Sequence, residues 1–140
     1  SSDIRALLLK GDVCRAKRLL GRPHALNGRV IKGRGLGRKI GFPTANVCVS
    51  RESLTPPGVF EVSVSGPGFR CRRALCNVGL RPTVSTAKRP RVEVHIPNFS
   101  GNLYGKRLKV EFLRRLRPEK KFKSISGLAT QITKDLANLK

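Results

Sequence analysis

The chain of 140 residues suits one compact domain and is too short for two full cores. Its 30 Lys and Arg against 8 Asp and Glu give a formal charge of +22, which predicts attraction to polyanions without choosing among nucleic acid, acidic membrane surfaces and nucleotide phosphates. A hydrophobic content of 39% excludes a disordered basic tail, and no apolar run reaches the roughly 20 residues of a membrane helix.

Residues 1–21 predict two short helices. Asp3 and Asp12 are candidate N-caps, and Gly11 separates the two segments. Two helices of this size bury little surface alone, so we interpret residues 1–21 as a linker that packs on a neighbouring unit. The first residues contain neither an initiator Met nor an apolar signal segment, which favours a piece cut from a longer protein.

Residues 22–140 are expected to form the domain itself. Between residues 22 and 116 the hydrophobic period becomes two, which is typical of half-buried strands. The candidate strands are 26–31, 60–64, 71–78, 92–96 and 108–112. Short strands separated by Gly- and Pro-rich turns predict a small antiparallel barrel.

The final segment returns to helical spacing. Apolar residues from Ile125 to Leu139 are separated by 3, 4, 4 and 3 positions, and Ser124 is a candidate N-cap. We therefore expect one C-terminal helix that closes the barrel.

The four cysteines are Cys14, Cys48, Cys71 and Cys76, and they form no C-x-x-C pair. An even number is compatible with disulfides, but a core of this size does not need them. We expect thiols in a reducing cytoplasm.

A glycine-rich segment carries the densest chemical signal. Four glycines fall within the nine positions 33–41, and basic residues lie between them. Exposed backbone amides beside cations can bind phosphate groups. The segment lacks the Gly-Lys-Ser/Thr of a Walker loop, and a flexible basic hairpin explains its composition equally well.

Two neutral oxygen donors follow this segment. Thr44 and Asn46 are spaced i and i+2, so in an extended chain their side chains point the same way. A hydroxyl and an amide oxygen suit Mg²⁺, although Thr and Asn are also common in turns.

Glu93 is an acidic residue in the middle of a predicted strand. It lies on the face opposite Val92 and Val94, where it could act as a general base for a hydroxyl group. An ordinary cross-strand ion pair with one of the many cations is the simpler interpretation of this residue alone.

In this order, these segments resemble the riboflavin kinase module of prokaryotic bifunctional riboflavin kinase/FAD synthetases. The matching stretches are Gly33-x-x-x-Gly37-Arg38, Gly41-Phe42-Pro43-Thr44-Ala45-Asn46, Pro57-Gly58-Val59-Phe60, Asn77-Val78-Gly79-x-x-Pro82-Thr83, Val92-Glu93-Val94-His95-Ile96, Leu103-Tyr104-Gly105 and Leu116-Arg117-Pro118-Glu119-Lys120-Lys121-Phe122. The resemblance implies a six-stranded antiparallel barrel with a C-terminal helix. It also implies ATP, Mg²⁺ and riboflavin as ligands and FMN as product.

The resemblance further implies roles for individual residues. Glu93 matches the catalytic base, Thr44 and Asn46 match the metal- and nucleotide-binding pair, and Arg117 and Glu119 lie where the flavin docks. The residues that match the flap over the ATP phosphates are Gly33, Gly35, Gly37, Arg38 and Lys39. Residues 1–5 resemble the tail of that family's FMN adenylyltransferase module, which would make such a module the upstream partner in the native chain.

The sequence departs from the family where acids are often found, since Asn98 and Asn102 are neutral. The charge leaves a second hypothesis open, that of a basic barrel which binds nucleic acid and has lost catalysis. The joint presence of Thr44, Asn46 and Glu93 favours the kinase, because a nucleic-acid binder has no need for all three. Weak non-specific affinity for nucleic acid is compatible with either hypothesis.

Overall fold

The computed structural model describes residues 2–32, 41–50, 52–79 and 90–140. In these ranges the chain forms two N-terminal helices, six strands and a C-terminal helix. The helices are α1 (Ser2–Leu9), α2 (Val13–Leu20) and α3 (Ile125–Ala137), and the strands are β1 (Ala25–Ile31), β2 (Ala45–Cys48), β3 (Gly58–Gly66), β4 (Phe69–Gly79), β5 (Arg91–His95) and β6 (Arg107–Arg117).

The six strands close into a barrel in the order β1-β2-β5-β4-β3-β6, and every neighbouring pair is antiparallel. This confirms the predicted six-stranded antiparallel barrel with a C-terminal helix and N-terminal helices. The strand β2 is an addition, because its four residues show no alternation long enough to be recognised in the sequence.

The inward-facing side chains fill the barrel. Phe60 and Phe112, both completely buried, meet edge to face with ring centroids 5.0 Å apart, and the valines of all neighbouring strands pack around them. A barrel of this size is filled by its own side chains. Any ligand site must therefore lie on the outer surface or at an end of the barrel.

The two N-terminal helices pack against the barrel. Leu8, Val13 and Ala16 are buried in the same apolar cluster as the barrel interior. Asp12 caps α2 by accepting a hydrogen bond from the backbone N–H of Arg15 at 3.1 Å. Asp3 is not a cap, because α1 already begins at Ser2 and places Asp3 in its first turn. The division of the chain after residue 21 stays a prediction.

The helix α3 and the residues after it are bonded to the outer surface of β3 and β6, through Asp135 to Arg117 and through the backbone of Lys140 to Glu61, and we call this surface the α3 face. Glu61, 1% exposed, accepts hydrogen bonds from Arg114 at 2.6 Å, Arg73 at 2.9 Å and the backbone N–H of Lys140 at 3.0 Å. Burial alone would raise the pKa of Glu61, but these three donors, with the charge of Arg114, hold it below its ordinary value.

The helix α3 is attached partly by charge. Ser124 is its N-cap, as predicted, and accepts from the backbone N–H of Gly127 at 3.1 Å. Of the predicted apolar stripe, Ile125 is 58% exposed, whereas the buried residue of the helix is Asp135, which faces β6.

The four cysteines are present as thiols. None of the helices in the described ranges has the length and apolar character needed to cross a membrane.

Candidate active site

Three polar side chains lie side by side on the outside of the barrel, and we call them the polar row. Asn46 on β2 is the register partner of Glu93 on β5, and Glu93 is the register partner of Asn77 on β4. Partners in antiparallel strands point to the same face, with Cβ atoms about 4.5–5.5 Å apart. The two predicted site residues Asn46 and Glu93 are therefore neighbours.

The closure of the barrel sets this register. Gly28 on β1 lies against the backbone of β2, where a Cβ atom would overlap the carbonyl oxygen of Cys48. This close approach fixes the pairing in which Ile31 at the end of β1 is opposite Asn46. The inward valines, Val47 on β2 and Val92 and Val94 on β5, then leave the polar row on the outer surface.

Thr44 directly precedes β2, two residues before Asn46. An extended chain at this point would put both side chains on one face, as the spacing predicts. The segment that carries Thr44 is attached to β5 through His95, whose Nδ1 lies 2.8 Å from the carbonyl oxygen of Pro43. Phe42 also meets the His95 ring edge to face at 5.7 Å. His95 therefore has a structural role beside the site.

Glu93 is 28% exposed and forms an ion pair with Arg91, whose Nε lies 3.4 Å from Oε1. Arg91 lies on the same strand as Glu93, two residues before it, so this ion pair runs along β5. The distance exceeds the roughly 2.7–2.9 Å of a strong charge-assisted hydrogen bond. The carboxylate is thus held near a cation yet stays accessible to solvent.

The charge of Glu93 also reaches the inner side of the sheet. Burial in the core raises the pKa of the Cys76 thiol strongly, and the negative charge of Glu93 raises it further. Cys76 is therefore a protonated core residue and not a nucleophile.

Asn77 is the third member of the polar row and carries an unusual atom. Its Oδ1 is buried and has no hydrogen-bond partner among the described residues. A buried acceptor without a donor costs about 1–3 kcal/mol, so such atoms are rare in native proteins. The sequence motif Asn77-Val78-Gly79 contains this residue, but only the register reveals that it lies beside Glu93.

Glu119 extends the site past the end of β4. A Cβ atom on Gly79 would overlap Oε2 of Glu119, so the carboxylate occupies the place of the missing side chain. Gly79 is the register partner of Arg91, and both lie two residues from the polar row. The structure thus places the predicted residue Glu119 at the end of β4, two residues along the strand from Asn77 of the polar row.

Arg117 lies on the α3 face instead. Its Nε and Nη2 donate to the carboxylate of Asp135 at 2.9–3.1 Å, and its Nη1 donates to the carbonyl of Pro118 at 3.1 Å. The guanidinium also lies over the ring of Phe122 at 5.9 Å. With these partners Arg117 orders the segment from which Glu119 projects.

The predicted phosphate-binding residues Gly33, Gly35, Gly37, Arg38 and Lys39 lie outside the described residues. The strand ends that flank them, Ile31 and Ala45, are next to the polar row.

The donors at this surface are hard oxygens, namely a hydroxyl, two amides and a carboxylate. Among the described residues no three His, Cys, Asp or Glu side chains form a cluster that could hold a metal ion. The donors fit a hard divalent cation that is bound mostly through water and substrate phosphates, because such an ion needs only one or two protein ligands.

Comparison with known proteins gives consistent matches over this chain. The family model Flavokinase, described as riboflavin kinase, matches residues 20–140. The bifunctional riboflavin kinase/FMN adenylyltransferase of Pseudomonas fluorescens is 42% identical over 98% of this chain and 44% of its own length. The protein of the same name from Bacillus subtilis is 41% identical over 96% of this chain and 43% of its own length. The chain therefore spans less than half of these curated relatives.

Two solved structures are similar as well. The crystal structure of riboflavin kinase from Trypanosoma brucei has a TM-score of 0.58 and 25% identity, covering 81% of this chain and 74% of that one. A crystal structure described as a macrolide-efflux protein from Streptococcus pneumoniae has a TM-score of 0.91 and 36% identity, covering 98% of this chain and 45% of that one.

Proposed function

The chain belongs to the riboflavin kinase family, and on that premise we propose that it transfers the γ-phosphoryl group of ATP to the terminal ribityl hydroxyl of riboflavin, giving FMN. The observation that carries this proposal is the polar row, because it puts a carboxylate between two amides on an accessible surface. That arrangement can hold a hydroxyl group and accept its proton.

Glu93 is the proposed general base. Its carboxylate accepts the proton of the ribityl hydroxyl as the oxygen attacks the γ-phosphorus in line, and the β-phosphate oxygen leaves with the bonding electron pair. Arg91, paired with Glu93 at 3.4 Å, orients the carboxylate without covering it. Positioning and electrostatics supply most of the acceleration in such a reaction.

Thr44 and Asn46 are the proposed ligands of Mg²⁺ and of the nucleotide. The amide of Asn46 lies on the face that carries Glu93, and the spacing of Thr44 predicts the same face for its hydroxyl. A cation bound there would bring the phosphates to the acceptor hydroxyl. When bound, the ion neutralises charge on the phosphate oxygens.

The glycine-rich segment is the proposed cover over the ATP phosphates. Backbone amides at Gly33, Gly35 and Gly37 would bind phosphate oxygens, and Arg38 and Lys39 would add positive charge. The support for this role is the position of the flanking strands beside the polar row.

Arg117 and Glu119 are the proposed flavin side of the site. Glu119 lies against Gly79 at the end of β4 and is the candidate for direct contact with the flavin, since the residue is exposed. Arg117 would act through the segment that its bonds to Asp135 and Pro118 hold in place.

We further propose a partner module, a cellular location and a weak nucleic-acid affinity for this chain. The relatives are more than twice as long, so an FMN adenylyltransferase module is the proposed partner in the native chain, where it would consume FMN. The thiol state of the cysteines supports a cytoplasmic location. The net charge of +22 supports weak, salt-sensitive binding of nucleic acid beside the kinase activity.

Incubation of the chain with riboflavin and MgATP, followed by chromatography for FMN, tests the proposal. We expect ATP-dependent FMN formation. Polynucleotide binding with steep salt dependence and no FMN would instead favour the non-catalytic basic barrel.

A further inference from the structure

Asn77 combines two features that a purely structural residue would not need. Its Oδ1 is buried and meets no donor from residues 2–32, 41–50, 52–79 and 90–140, and its side chain lies directly opposite Glu93 in the register of β4 and β5. Buried acceptors are normally paired, and an exception at a candidate site points to a ligand or a solvent molecule as the missing donor.

The contrast with Glu61 shows that this barrel can satisfy buried oxygens. Glu61, also on the outer surface of a strand, has three donors around its two oxygens. Asn77 has the same kind of neighbours available, since strands β3 and β5 flank it, yet its partners there are Val59 and Glu93, neither of which offers a side-chain N–H.

We propose that Asn77 is a substrate-binding residue whose amide oxygen accepts a hydrogen bond from a ribityl hydroxyl of riboflavin. The inference rests on the proposed kinase function and deepens it, because it assigns recognition of the polyol chain to a residue beside the base. A side-chain amide has two acceptor sites on its oxygen and two donors on its nitrogen, so it can bind a hydroxyl and face a carboxylate together.

With this assignment, each residue of the polar row has a separate proposed role. Glu93 takes the proton of the terminal hydroxyl, Asn77 holds a second hydroxyl of the same chain, and Asn46 lies on the opposite side of Glu93 toward the nucleotide. Two hydroxyls held side by side fix the direction from which the terminal oxygen attacks. Asn77 therefore contributes to specificity for a polyol-bearing flavin.

The substitution Asn77→Leu tests this role, with Asn27→Leu as the matched control. Asn27 is an exposed residue on the outer side of β1, so the same chemical change there touches no part of the polar row. We expect Asn77→Leu to weaken riboflavin binding, measured by flavin fluorescence without ATP, by about 10- to 100-fold. We expect no change in the affinity for lumiflavin, which lacks the polyol chain.

Thermal unfolding separates recognition from support of the fold. Replacement of an unpaired buried oxygen by an apolar group of similar shape is neutral or stabilising, so the melting temperature of Asn77→Leu should equal or exceed that of the wild type. If Asn77→Leu does not fold, Asn77→Ala, which also lacks the acceptor, should show the same selective loss of riboflavin affinity.

Unchanged riboflavin affinity in a folded Asn77 variant would overturn the inference, and so would an equal loss of affinity for lumiflavin. Both results are independent of turnover. The proposed function fails by another observation, namely wild-type chain that binds riboflavin and forms no FMN with MgATP.

Discussion

The carboxylates on the two polar faces of the barrel differ in their exposure to solvent and in the donors around them. On the α3 face Glu61 is 1% exposed and lies 2.6–3.0 Å from three donors. On the face of β2, β5 and β4, Glu93 is 28% exposed, and its ion pair with Arg91 is 3.4 Å long. Next to Glu93, the amide oxygen of Asn77 has no donor in the part of the chain that the structure describes.

This difference separates support from function. A buried carboxylate that is held by three donors stabilises the fold but is not accessible to accept a proton from a substrate. A carboxylate that keeps an accessible oxygen can do so, at some cost in stability. Substitutions on each face test whether the α3 face stabilises the fold while the polar row supports catalysis.

The largest effect is expected for Glu93→Gln. Loss of a general base lowers the rate by about 10²- to 10⁴-fold, whereas an amide of the same shape leaves ATP binding nearly unchanged. Formation of FMN, followed by chromatography at saturating MgATP, measures it, and Glu111→Gln on β6 is the matched control. Near-normal turnover of Glu93→Gln would remove Glu93 from this role.

The next effect concerns stability on the other face. Glu61→Gln removes the charge that Arg114 and Arg73 surround, and we expect a loss of about 1.5–3 kcal/mol in the free energy of unfolding. We expect a loss near the low end of this range, because Arg73 is 52% exposed and is hydrated when the carboxylate charge is removed. Urea denaturation at neutral pH measures the loss, while FMN formation by the folded variant should stay normal. A folded Glu61→Gln with impaired turnover would erase the proposed division between the faces.

A smaller effect is expected for Gly79→Ala. The new Cβ atom overlaps the Glu119 carboxylate, which must leave its place at the end of β4. We expect the KM for riboflavin to rise about two- to tenfold with little change in KM for ATP. The double variant Gly79→Ala/Glu119→Ala should resemble Glu119→Ala alone. Fully additive effects would show that the two residues act independently.

The smallest effect is a change with pH. Because the folded pKa of Glu61 lies below its ordinary value near 4.5, its contribution to stability is complete above that pH and is lost as the pH falls through the folded pKa. The difference in melting temperature between wild type and Glu61→Gln should therefore shrink on acidification from pH 6 toward about pH 3. A difference that is constant over this range would contradict the lowered pKa.

Part of the fold and part of the candidate site can be predicted from the sequence. Alternation predicts which residues of β3, β5 and β6 face inward, because each inward position of a small barrel must be apolar. The spacing of Thr44 and Asn46 likewise predicts that they share a face.

The pairing of the strands, and therefore which outward residues are neighbours, could not be predicted from the sequence. Which residue lies opposite Glu93 depends on how six strands close, and a shift of one residue would move every side chain to the other surface. The burial of Glu61 depends on where α3 packs, since alternation alone marks it as an outward residue. Arg117 and Glu119 are two positions apart in the sequence, yet one binds Asp135 and the other lies against Gly79.

A crystal structure of the chain with ADP, Mg²⁺ and FMN is the most direct test of the central claim, that phosphoryl transfer occurs on the outer surface of β2, β5 and β4. We expect the FMN phosphate ester oxygen to lie within hydrogen-bond distance of Glu93, with the ribityl chain over Asn77. Density for FMN against α3, or on a strand surface away from Glu93, would contradict it.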